Sequence, residues 1–122
     1  LESIKSGGIE KISIKKESLM GGMSCGEVSL VPWEILKNSV NYCVTVSDNY
    51  ISKTVKFLAN SGFSKEKIVG GECSTPGIVS LIGISNDEKI KKKINLNENS
   101  NVLLFGCEGD ADKELYQKLL NE

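Results

Sequence analysis

The sequence predicts an α/β fold. Two observations carry that expectation. Short apolar runs, "YCVTV" at Tyr42–Val46 and "VLLF" at Val102–Phe105, are bounded by polar residues or glycine in the manner of buried strands. Each run leads through a short turn into a segment whose apolar residues recur at helical spacing.

The elements follow in chain order. "SGGIEKISIKK" has a Gly-Gly turn and then Ile12 and Ile14 in alternation, which predicts an edge strand or extended arm. "GGMSCGE", Gly21 to Glu27, is too glycine-rich for a regular element and reads as a loop. Residues 1–28 are therefore arm and loops, and residues 29–122 the α/β part. Ser29 caps a helix bearing Leu30, Trp33, Leu36 and Val40, with Pro32 tolerated in its first turn. After the first strand, Ser47 caps a helix whose apolar stripe is Ile51, Thr54, Val55 and Leu58, and "ANSG" ends it at Gly62. Thr75-Pro76 starts a third helix, in which Ile78, Val79, Leu81 and Ile82 lie nearly all round and so predict an interior position. "NDEKIKKKINLNENSN" reads as a charged surface helix and loop. The last strand runs through "GCEGDAD" into a closing helix with Leu115, Leu119 and Leu120 on its buried face.

Composition excludes more than it suggests. The 122 residues suit one domain, no apolar run approaches the roughly 18 residues of a membrane span, and a net charge of −1 offers no field for nucleic acid or anionic lipid. There is no histidine, which removes Ser-His and Cys-His catalysis and most zinc sites. Every basic residue is lysine, so there is no guanidinium fork for a carboxylate or phosphate. Cys25, Cys43, Cys73 and Cys107 are scattered without a C-x-x-C pair. Free thiols in a reducing compartment, and hence a cytoplasmic protein, are the simplest reading. Two good strands are too few for a covered sheet, and the chain begins at Leu1, so it reads as the last portion of a larger α/β protein.

Three loops could carry chemistry. Glu108, Asp110, Asp112 and Glu114 alternate, but they miss the calcium-loop pattern, and acidic residues are expected in a helix's first turn. "GGECSTPG", Gly70 to Gly77, ends in a helix N-terminus, which attracts anions but more often merely starts a helix. "GGMSCGE" has the same ambiguity.

Taken together and in order, "LMGGMSCGEVSLVPWEILKN", "IVGGECSTPG" and "VLLFGCEGDADKELY" resemble the C-terminal third of the diaminopropionate ammonia-lyase family. These are pyridoxal-phosphate enzymes of the tryptophan-synthase-β fold, so the resemblance implies a three-layer partial parallel sheet with helices on both faces. The family shows "GLACGE…WEIL", then "GESGAVG", then a strand and "STEGDTD", at about these separations. The likeness runs from about Ser3 to Tyr116. It implies that the parent eliminates ammonia from 2,3-diaminopropionate to leave pyruvate, as a cytoplasmic homodimer with no nucleic-acid or membrane partner. It implies also that the Schiff-base lysine and phosphate loop lie upstream, so the isolated chain has no catalytic residue and does not hold the cofactor.

What this stretch would supply is one wall of the cofactor site. Fold relatives place a neutral hydroxyl or thiol beside the pyridine nitrogen, from the turn after a late strand; here the matching residues are Gly106 and Cys107. Glu72 matches the glutamate of "GESG" beside the ring edge. Cys73, Ser74 and Thr75 depart from that motif, and Cys73 and Ser74 stand with Glu27 as candidate substrate contacts. Cys25 is expected to be structural, and Glu27 either lines the site or caps the helix of Trp33. The other readings are a fragment of a threonine or serine dehydratase or of a threonine synthase, or a stand-alone non-catalytic α/β binding or regulatory module.

Overall fold

No sheet forms. The computed structural model describes residues 1–122; helical residues make up 48% of the chain and none is in a strand. The expected three-layer parallel sheet, and with it the tryptophan-synthase-β-like architecture, is overturned. The physical reason is local. A strand is defined by the hydrogen bonds of its neighbour, and residues 43–46 and 101–107 make no backbone–backbone hydrogen bond at all. Both runs are non-helical, as their composition dictates, but they stand in solvent: Leu103 is 76% exposed and Phe105 82%.

The chain divides into two compact units, Leu1–Thr45 and Val46–Glu122. The first opens with α1, Glu2–Ser6, which the sequence reading missed. Gly7 ends it in the left-handed region at φ 77°, donating its N–H to the Ser3 carbonyl at 3.0 Å. The arm that follows is extended and lies on the glycine loop, with the Ile12 N–H donating to the Gly26 carbonyl at 2.8 Å. A Cβ on Gly26 would come within 2.5 Å of the Ile12 carbonyl oxygen, so this approach requires glycine. Helix α2, Leu30–Ser39, buries only Trp33; Leu30, Val31, Ile35 and Leu36 face solvent.

The second unit has a regular core. Ser47 accepts from the Asn49 N–H, and a 3-10 turn over Asp48–Tyr50 leads into α3, Ile51–Ala59. The predicted stripe is the buried one: Ile51, Thr54, Val55 and Leu58. Ser61 at φ 59° turns the chain out of the helix, and the Gly62 N–H closes on the Phe57 carbonyl at 2.8 Å. Helix α4 is Pro76–Ser85, and α5, Glu88–Lys93, is capped by the Asp87 carboxylate. Helix α6, Lys113–Asn121, packs on α3 through Leu119 and Tyr116. The interior position expected for α4 is not found, since Ile78 is its only buried residue and Ile82 is exposed. With a single layer of helices around α3, one side of α4 has nothing to meet. No helix is long and apolar enough to cross a membrane.

Candidate functional site

In the second unit the "GGECST" and "GCEG" loops, 34 residues apart in sequence, close on each other. The connection centres on Ser74 and Glu108. Glu108 donates its N–H to Ser74 Oγ at 2.9 Å, and Ser74 Oγ donates in turn to the Glu108 carbonyl. The same carbonyl accepts from the Gly71 N–H at 3.1 Å. The Glu108 side chain reaches back as well, with Oε2 accepting from the Cys73 N–H at 2.8 Å. Glycine is needed at the contact: a Cβ on Gly71 would stand 2.4 Å from the Gly109 carbonyl oxygen and 2.8 Å from Glu108 Oε2.

This places the candidates. Glu72, Cys73, Ser74, Gly106 and Cys107 lie together where the two loops meet. Cys107 is exposed, its Sγ 3.7 Å from the Cys73 carbonyl oxygen, and it is not buried under the closing helix. Glu72 is half-buried, and its carbonyl accepts from Thr75 Oγ1 at 2.8 Å. Cys73 and Ser74 are buried. Donor atoms of Glu72, Cys73 and Glu108 lie within 4.8 Å of one another. They form a mixed carboxylate–thiol set one ligand short of the four that a structural zinc takes, and Glu108 is already engaged by a backbone N–H.

Glu27 belongs to the first unit, where it pairs with Lys11 at 3.0 Å. It does not cap α2, whose N-cap is Ser29, without a side-chain bond. Cys25 is exposed, and its sulfur lies 4.0 Å from the Gly22 carbonyl oxygen.

Beside the Ser74–Glu108 contact opens a cleft of about 310 Å³. Leu58, Phe63, Ile78 and Leu104 form its apolar side, and Gly106 and Glu108 its polar end.

No protein-family description and no solved structure matches the chain. Curated relatives do. The diaminopropionate ammonia-lyase of Escherichia coli K12 is 26% identical over 119 residues, which is 95% of this chain and 30% of that protein. The protein of the same name from Escherichia coli O157:H7 matches equally, and the one from Salmonella typhimurium is 22% identical over 107 residues, 84% of this chain and 26% of its own.

The chain is similar to diaminopropionate ammonia-lyase. It spans about 30% of the length of the E. coli proteins it matches. The motif likeness and the alignment agree on nearly the same stretch, and both quoted loops that meet in the second unit lie inside it.

The sequence reading missed Glu108 and Thr75. Glu108 was assigned to the first turn of the closing helix, but that helix begins at Lys113 with Asp112 as its cap. Thr75, fully buried, serves the Glu72 carbonyl and not the helix N-terminus. The Gly70-Gly71 pair was the available signal, because paired glycines before a helix mark a place where another backbone approaches.

Proposed function

We propose that the chain is part of a pyridoxal-phosphate-dependent diaminopropionate ammonia-lyase and forms one wall of its cofactor site. The observation that carries this reading is the meeting of the "GGECST" and "GCEG" loops, which leaves the Cys107 thiol exposed beside the Glu72–Ser74 turn. The residues present suit the ring end of the cofactor. Cys107 is a neutral donor, and the proton it shares with the Cys73 carbonyl is the one that a pyridine nitrogen would accept. The Glu72 and Glu108 carboxylates would repel a phosphate, which must be held elsewhere in the enzyme. When bound, the cofactor supplies an electron sink for the carbanion formed as the α-proton leaves. This chain orients the ring and tunes it through the Cys107 thiol. The parent reaction is loss of the β-amino group from 2,3-diaminopropionate, ending in pyruvate and ammonia.

On this reading the 122 residues alone release no pyruvate and retain no pyridoxal phosphate through dialysis, because the lysine nucleophile and phosphate loop belong to the remainder of the enzyme. With that remainder present, Cys107→Ala should lower kcat about tenfold, the scale of one neutral hydrogen bond. Cys107→Ser should keep most of the activity. Turnover per folded molecule that is untouched by Cys107→Ala would overturn the assignment.

A further inference from the structure

The Ser74 hydroxyl has no capacity left to donate to a ligand. It is buried, its one proton goes to the Glu108 carbonyl, and it accepts from the Glu108 N–H. The Glu108 carbonyl is equally committed, to Ser74 and to the Gly71 N–H. Oε2 of Glu108 holds a third strand of the same connection by accepting from the Cys73 N–H. Glycines lie on both sides: Gly71 under the Glu108 side chain, and Gly106 where a Cβ would stand 3.4 Å from Ser74 Oγ. These four hydrogen bonds, with that of the Cys107 thiol to the Cys73 carbonyl, join two loops that have no sheet to align them, and Cys107 immediately precedes Glu108 in one loop while Glu72 and Cys73 immediately precede Ser74 in the other.

We propose that Ser74 and Glu108 are positioning residues, a clasp that fixes where the Cys107 thiol stands relative to Glu72, and that Ser74 is not a substrate contact. The inference rests on the reading of these loops as a cofactor wall, but the clasp itself is tested without the cofactor.

Cys73 is buried and its N–H is held by Glu108, so the rate at which iodoacetamide alkylates Cys73, followed by peptide mass spectrometry on the 122-residue chain, reports how often the clasp opens. Ser74→Ala removes two hydrogen bonds of the clasp and Glu108→Ala one to a carboxylate, so each should raise that rate about tenfold or more. Glu108→Gln should restore the unmodified rate, because its carboxamide oxygen still accepts from the Cys73 N–H. Val55→Ala is the control: it weakens the core of the same unit and should leave the Cys73 rate unchanged. Rates in Ser74→Ala and Glu108→Ala equal to that of the unmodified chain would overturn the clasp, as would an equal rise in Val55→Ala. Failure of Cys107→Ala to affect turnover would instead remove the cofactor reading and leave the clasp standing.

Discussion

Helices α2 and α3 are nearly equal in length and similar in apolar content, yet one buries a single side chain and the other four. In α3 the buried residues fall at i, i+3, i+4 and i+7, one stripe, and α6 lies along it. In α2 they are spread around the axis, so that Trp33 faces inward while Leu30, Val31 and Ile35 face water. The difference teaches that stability in this chain follows the presence of a facing element, not hydrophobic content.

The comparison breaks most directly at the α3–α6 contact. Leu119 is fully buried there, and Leu119→Ala should cost about 2–5 kcal/mol, read from the urea midpoint of far-UV circular dichroism. A loss below 1 kcal/mol would mean that α6 is not part of the core of the second unit. A smaller effect sharpens the contrast between units. Trp33 is the sole tryptophan, so its fluorescence reports on the first unit alone. Its unfolding midpoint should fall below that seen by circular dichroism, and coincident transitions would show one cooperative body. The smallest effect belongs to α1. A hydrogen bond and the charge of Lys5, 2.9 Å away, hold the Glu2 carboxyl below its ordinary value. A carboxyl depressed on folding adds stability above its unfolded value, and loses it as pH falls through the folded one. Glu2 is fully exposed, so Glu2→Gln should leave the unfolding curve unchanged at pH 7 within error.

Features set by a few neighbouring residues were legible in the sequence. Pro76 at the start of α4, the cap of Ser47 and the α3 stripe all depend on residues within a turn or two. Helix α1 escaped notice because five residues give almost no periodicity, although Gly7 marks its end. The strands were misread because β-rich composition states a preference that only a neighbouring backbone can satisfy, and residues 43–46 and 102–105 have none. Ile82 was placed inward for the same reason: burial belongs to the pair, not to the residue. For the candidate site, the loop residues were chosen through motif likeness, and the structure brings the two loops together through Ser74 and Glu108. The link from Glu108 to Cys73 spans 35 residues and leaves no periodic trace.

The run from Val102 to Cys107 has a consequence for handling the protein. Six residues without charge or proline, mostly large and apolar, with their main-chain groups unoccupied, carry the signature of segments that stack into cross-β fibrils. Asn101 and Glu108 are the nearest polar neighbours, and only Glu108 is charged, so electrostatic repulsion guards one end of the run. Association through this stretch should therefore lower the solubility of the isolated chain. Leu103→Lys should raise it, because a lysine ammonium there would sit in water and repel its copies along a growing fibril.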